Sequence, residues 1–148
     1  MSDAGFAHVE AAIREAVGRQ GFMKLVGAKI DELAPGRAVL SLERRDELLQ
    51  QHGFIHGGAV AFLVDNATTI AAGTLADRNA GQSVLTAEYK LNFTSPSKGE
   101  RIVCEAQVLK PGRRMSVVEA KVFSYEKGEQ RLCADALATI AITSQRFD

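Results

Sequence analysis

One long apolar segment constrains the fold of this chain more than any other part of the sequence. From Gly57 to Leu75, alanine, valine, leucine, isoleucine and phenylalanine fall on nearly every side of a helix, and no proline interrupts it. A helix that is apolar all round has to be covered all round. The segment is almost long enough to span a bilayer, but Asp65, Asn66 and Thr69 lie near its middle, where polar groups cost most in lipid. We therefore predict a buried core helix and no membrane partner.

The segments on either side of this helix predict one further helix and six strands. Apolar residues recur at three- and four-residue steps from Phe6 to Val17, which is typical of an amphipathic helix. The runs Met23 to Glu32 and Arg37 to Glu43 flank a Pro-Gly turn and predict a hairpin. Four strand-like runs joined by short turns follow the long helix: Ser83 to Phe93, Arg101 to Leu109, Met115 to Tyr125 and Leu132 to Ile142.

The order of these segments predicts an α+β fold, with one antiparallel sheet of about six strands curled around the long helix. The run Ser83 to Phe93 alternates apolar and polar residues, and its apolar set is Leu85, Ala87, Tyr89, Leu91 and Phe93. Such alternation predicts that this set shares one face, which we expect to be core. One sheet covers only one side of a helix, so a second subunit is expected to close the core. The length predicts one domain, residues 1–148.

Charge and cysteine content narrow the classes of function. The chain has 18 basic and 18 acidic residues, and a formal net charge of zero argues against a general nucleic-acid-binding protein. Cys104 and Cys133 form no CxxC pair, so we expect buried thiols of a reducing compartment, with a disulfide as the weaker alternative. The N-terminal segment mixes both charge signs and lacks the apolar core of a secretory signal, which predicts a cytoplasmic location.

Asp65 is the first candidate for chemistry, because it is the only formally charged residue between Glu47 and Asp77. A carboxylate among apolar side chains is costly to bury unless it is paired. It is either a structural acid or a general base or nucleophile. Gly57 and Gly58 lie at the expected helix start, where free N–H groups and the helix dipole meet. These glycines either permit a tight loop-to-helix junction or form an oxyanion hole.

Metal binding and nucleophilic triads are the weaker hypotheses. His52, His56 and Asp65 could form a metal triad only if the two imidazoles were held on a helix, and they precede the glycines instead. We therefore expect no metal, and we expect His56 to shape the helix entry or to bond the backbone. Neither Cys104 nor Cys133 is expected to act as a nucleophile.

The spacing of these residues resembles that of a known family. The pattern is Gln50-x-x-Gly53-x-x-His56-Gly57-Gly58, then Asp65-Asn66, and later Tyr89-x-x-x-Phe93-x-Ser95-Pro96. It is similar to the pattern of the hotdog-fold acyl-CoA thioesterases of the PaaI-like group. The resemblance runs from about Gly21 to Ile142. It implies a six-stranded sheet around the long helix, in homodimers that often pair into tetramers.

The resemblance also implies roles for single residues. Asp65 would be the catalytic carboxylate, acting as nucleophile or as base, and the backbone N–H of Gly57 would polarise the thioester carbonyl. In such dimers the carboxylate and the carbonyl-binding loop come from different subunits. The remaining catalytic candidates are Gln50, against the carbonyl, Thr86, which would orient the attack, and His56.

The implied substrate is an acyl-CoA with an aryl or medium-chain acyl group, hydrolysed without a cofactor. The candidate substrate-binding residues are Gly58, Asn66, Phe54, Arg113 and Arg114. The two arginines lie beside the Pro111-Gly112 turn, where they would either meet the phosphates of coenzyme A or form a solvated hairpin end. The alternatives are a hotdog dehydratase or hydratase that acts on acyl-CoA or acyl carrier protein, and a non-catalytic acyl-CoA-binding protein.

Overall fold

The computed structural model describes residues 3–144, and side chains from residue 5 onward. Two helices, α1 (Asp3–Gly18) and α2 (Gly21–Val26), precede the strands β1 (Lys29–Ala34) and β2 (Arg37–Glu43). A 3-10 turn (Asp46–Leu48) leads to helix α3 (Gly57–Gly73). The last four strands are β3 (Ser83–Phe93), β4 (Arg101–Lys110), β5 (Met115–Glu126) and β6 (Glu129–Thr143).

The six strands form one antiparallel sheet in the order β1-β2-β4-β5-β6-β3. Helix α3 packs across five of these strands, and Leu63, Val64 and Ala67 on its sheet side are fully buried. The predicted α+β fold, a curled sheet around one long helix with a further N-terminal helix, is therefore confirmed. Among the helices of residues 3–144, none is long and apolar enough to cross a membrane.

The prediction of a strand from Met23 onward was wrong. Residues 21–26 form the short helix α2, and the first strand begins only at Lys29. Met23 and Val26 are buried at helical spacing, and Gly27 ends the helix in the left-handed conformation, with φ of 73°. Its N–H bonds the carbonyls of Met23 and Lys24, which is a common way to close a helix.

The prediction that the five apolar residues of β3 share one core face was also wrong. The register of β3 against β6 shifts between Thr86 and Glu88, so Ala87 is an extra residue in a β-bulge. Because of this bulge, Leu85 lies on the opposite face from Tyr89 and Phe93. Those two pair with buried alanines of β6, yet they remain 37% and 58% exposed in the single chain.

One side of α3 remains uncovered in the single chain. Its residues are half-buried rather than core, and they are Ala61, Phe62, Asp65, Asn66 and Thr69. Strand β3 lies beside this side of the helix at the edge of the sheet. The monomer therefore leaves a helix side of mixed polar and apolar residues and a strand edge open next to each other.

Both cysteines are core residues. Cys104 and Cys133 are buried free thiols, as expected from their positions in strands. Burial raises the pKa of both thiols above their usual range, and for Cys133 a hydrogen bond from Ser97 opposes part of this rise. Thiols in such surroundings are poor nucleophiles.

Candidate active site

The first turn of α3 presents one unused hydrogen-bond donor. The N–H groups of Ala59 and Val60 bond the carbonyl of His56, and the N–H of Gly58 bonds the Nδ1 atom of His56 at 2.8 Å. Among the described residues, the N–H of Gly57 has no acceptor. A free N–H at a helix start, with the positive end of the dipole behind it, is suited to bind a carbonyl oxygen.

Close packing explains the glycine at position 57. Neither Gly57 nor Gly58 has a positive φ, so unusual backbone geometry does not explain why glycine occupies these two positions. A Cβ atom on Gly57 would lie 3.3 Å from the ring of Phe93, and one on Gly58 would lie 3.0 Å from Nδ1 of His56. The two glycines therefore keep the space in front of the helix start narrow but open.

Asp65 belongs to a hydroxyl network rather than to an ion pair. The hydroxyl of Thr86 on β3 donates to Oδ1 of Asp65 at 2.5 Å, and the Thr69 hydroxyl lies 2.8 Å from that of Thr86. Thr69 also bonds the backbone carbonyl of Asp65. The second carboxylate oxygen, Oδ2, has no hydrogen bond to any of the described residues. The carboxylate is thus oriented through one oxygen and free to act through the other.

Gln50 and Gly57 line a common cleft of about 430 Å³, together with Phe54 and Phe93. The Gln50 side-chain oxygen accepts the backbone N–H of His52, while its Nε2 group has no acceptor among the described residues. The ammonium of Lys98 lies over the ring of Phe54, 5.2 Å from the ring centroid, in a cation–π contact. A carbonyl that enters this cleft would therefore find two donors, an amide N–H₂ and a backbone N–H.

Asp65 does not line this cleft. It lies eight residues beyond Gly57, which corresponds to about 12 Å along a helix axis. Its partner Thr86 is near the start of β3, whereas Gly57 packs against Phe93 at the end of that strand. Within one chain, the structure keeps the Gly57 N–H and the Asp65 carboxylate apart.

His56 and Asn66 are engaged by α3 itself. His56 is the N-cap of the helix and uses Nδ1 for the Gly58 N–H, as the expectation of a shaping role predicted. The Asn66 amide donates to the carbonyl of Phe62, so its nitrogen is partly used by the helix. No three His, Cys, Asp or Glu side chains within residues 3–144 are placed to hold a metal ion, so His52, His56 and Asp65 do not form a triad there.

Arg113 and Arg114 are remote from Gly57 in the single chain. They precede Met115, which pairs with Ala141, and Ala141 pairs in turn with Leu85 at the start of β3. Gly57 contacts the other end of that strand, roughly 25 Å away at the rise of a β-strand. The structure therefore does not bring these arginines to the cleft that Gln50 and Gly57 line in their own chain.

Sequence reasoning gave no role to three residues that contact the site. Thr69 lies one helical turn after Asp65, so its spacing of four residues was a usable signal. Phe93 packs on Gly57, and Phe22 of α2 meets Phe62 with ring centroids 4.6 Å apart. These aromatic contacts join elements distant in sequence, and no local pattern announces them.

Comparison with known proteins identifies the family. The family model of the thioesterase superfamily matches residues 52–130. A solved thioesterase family protein from Silicibacter pomeroyi is 39% identical, with a TM-score of 0.86 over 93% of this chain and 97% of the other. The PaaI protein of E. coli shares the fold, with a TM-score of 0.80 at 20% identity over 92% and 94% of the two chains.

Among curated relatives, human acyl-coenzyme A thioesterase 13 is 31% identical over 65% of this chain and 67% of its own length. The family match covers the loop before α3 from His52 onward and the whole of that helix. These findings support a hydrolase rather than the dehydratase, hydratase or binding-protein alternatives. The chain belongs to the thioesterase superfamily, and it is a thioester hydrolase with the hotdog fold.

Proposed function

We propose that this protein hydrolyses acyl-CoA thioesters with aryl or medium-chain acyl groups, in a site shared by two subunits. One observation carries the proposal: the Gly57 N–H and the Oδ2 atom of Asp65 are both left without partners among the described residues, whereas the next N–H groups of α3 and the Oδ1 atom of Asp65 are bonded. The name of the human relative, an acyl-coenzyme A thioesterase, supports the choice of coenzyme A.

The carbonyl end of the site supplies electrophilic stabilisation. The thioester oxygen would accept hydrogen bonds from the Gly57 N–H and from Nε2 of Gln50. Both bonds shorten as the oxygen gains negative charge in the tetrahedral intermediate, and one such donor is worth roughly 3 to 4 kcal/mol. No cofactor is required, because coenzyme A arrives as part of the substrate and a thioester is already electrophilic.

The carboxylate end supplies the attack. As a base, Asp65 would take a proton from water through Oδ2 while the hydroxide forms its bond to the carbonyl carbon. Collapse of the intermediate breaks the carbon–sulfur bond, and the thiolate takes up the proton from Asp65. As a nucleophile, Asp65 would instead attack the carbonyl carbon and expel the coenzyme A thiolate, which leaves an acyl-Asp65 anhydride; water then cleaves this anhydride, which frees the acid, restores Asp65 and supplies the proton that the thiolate takes up. In both routes the Thr86 hydroxyl holds the carboxylate in place.

Pairing of two β3 strands would bring these two ends together. Strand β3 is an edge strand, so among the described strands only β6 pairs with it. In a twofold antiparallel pair, the start of one strand lies beside the end of the other. A pairing centred on Lys90 would place Thr86 opposite Phe93, because the bulge residue Ala87 adds no step to the register. Asp65 of one subunit would then approach Gly57 of the next, and two such dimers could pair into a tetramer.

Release of coenzyme A from a panel of acyl-CoA substrates, followed with a thiol reagent, tests the function. We expect turnover by the wild type and a loss of at least about a hundredfold in Asp65→Asn. Asp31→Asn is the control, because Asp31 also accepts a hydrogen bond from a hydroxyl, that of Ser41, but lies exposed on β1. Equal rates for Asp65→Asn and wild type would contradict this mechanism, and a monomer by sedimentation would contradict the shared site.

A further inference from the structure

A second cleft opens on the other side of the first turn of α3. It has a volume of about 570 Å³ and lies between α2 and α3. Its lining includes His56 and Gly58, which flank Gly57 in the sequence, and Gly57 lines the cleft that contains Gln50. The two clefts therefore begin at adjacent residues and leave the helix start in different directions.

The walls of this second cleft are apolar. Its apolar lining residues are Phe22, Leu25, Val26, Leu48, Ala59 and Phe62. Arg45 and Glu47 lie at its border, and the guanidinium of Arg45 is held by the carbonyl of Leu25. The volume falls within the usual range for a small-molecule pocket, roughly 300 to 1,000 Å³.

The fold alone does not account for the residues that α2 exposes here. Met23 and Val26 face the core and anchor the helix, whereas Phe22 and Leu25 are 55% and 68% exposed. Large apolar side chains exposed together around a cavity are typical of a binding surface. The T-shaped contact of Phe22 with Phe62 holds one wall in place.

We propose that this α2–α3 cleft binds the acyl chain of the thioester substrate. The inference rests on the proposed function, in which the Gly57 N–H holds the thioester carbonyl. From that carbonyl the substrate extends in two directions, as an acyl arm and as the pantetheine arm of coenzyme A. The cleft of Gln50 offers amide and hydroxyl groups, including Thr94 and Ser95, and suits the polar pantetheine arm. The α2–α3 cleft is lined mainly by apolar side chains, and it suits a hydrocarbon arm.

Binding of S-(2-oxoalkyl)-CoA ketones, from oxopropyl to oxododecyl, tests the inference without turnover, because these ketones keep a carbonyl for the Gly57 N–H and cannot be hydrolysed. By titration calorimetry we expect the wild-type Kd to fall by roughly fourfold per added methylene until the cleft is full. Leu25→Lys places a charge in the cleft at an exposed position. It should reduce this gain to less than about twofold per methylene. Leu109→Lys, at a side chain 54% exposed on β4, is the matched control and should bind as the wild type does.

Three results would overturn the inference. The first is an unchanged chain-length dependence in Leu25→Lys. The second is a loss of that dependence in Phe54→Lys instead, which would place the chain in the cleft of Gln50. The third is dissociation of the assembly by Leu25→Lys in sedimentation, which would make the surface an interface between copies. Failure of hydrolysis with the chain-length dependence intact would count against the proposed function alone.

Discussion

At Gly57 the proposed oxyanion donor can be deleted without changing the helix that carries it. Proline is favoured at the first position of a helix, because its missing N–H has no intrahelical acceptor there. The residue before a proline must be extended, and His56 already has φ of −59° and ψ of 138°. Gly57→Pro therefore removes one N–H and keeps α3.

The expected loss follows from the one donor that is removed. Deletion of a single oxyanion donor lowers kcat by about 10² to 10³, or roughly 3 to 4 kcal/mol. The new side chain also meets the Phe93 ring, at 3.3 Å from the added Cβ. That ring is 58% exposed and can move, so the contact should cost less than about 1 kcal/mol, or about fivefold in rate. Gly57→Ala makes the same contact and retains the N–H, which makes it the control.

The assay is steady-state release of coenzyme A, with thermal unfolding measured in parallel. Gly57→Ala should lie within about fivefold of the wild type, and Gly57→Pro should lie a further hundredfold or more below it at a similar Tm. Equal activity of Gly57→Pro and Gly57→Ala would mean that the N–H of Gly57 does not bind the carbonyl oxygen, even though this N–H lacks an acceptor within the described residues.

Three further predictions concern the assembly, the stability and the thiols. Reassorted dimers of Asp65→Asn and Gly57→Pro should recover about a quarter of wild-type activity, because half are mixed and each has one intact site; no recovery would contradict a shared site. Thr74→Val removes the buried acceptor of the Gly36 N–H, so urea unfolding should show a loss of about 1–3 kcal/mol, with Thr139→Val nearly neutral. Because burial raises the pKa of Cys104, a thiol reagent at pH 8 should label it only on unfolding; rapid labelling would contradict its burial.

Much of the fold could be predicted because its strongest signals are local. The apolar run that begins at Gly57 and the turns around β3 are both visible in the sequence, and β3 has the predicted bounds Ser83 to Phe93. Asp65 was identifiable because a charge is rare inside such a run. The hydroxyl network around it was partly predictable, since Thr69 is four residues away and Thr86 was implied by the family pattern.

The remaining features depend on contacts between distant segments. Helix α2 has only six residues, too few for periodicity to separate it from a strand, although Gly27 was a usable stop signal. The bulge at Ala87 has no glycine or proline to announce it, so only pairing with β6 shows it. The α2–α3 cleft arises where Phe22 meets Phe62, forty positions later, and no local pattern encodes that distance.

The bulge at Ala87 determines whether Thr86 and Phe93 lie on the same face of β3. Thr86 and Phe93 are seven residues apart, an odd separation that would place them on opposite faces of a regular strand. The inserted residue restores a common face, so one hydroxyl reaches Asp65 while one ring reaches Gly57. The number of residues between Thr86 and Phe93 is therefore constrained, whatever the identity of the residue at position 87. Many side chains would suit position 87, but a one-residue deletion would invert half of the strand.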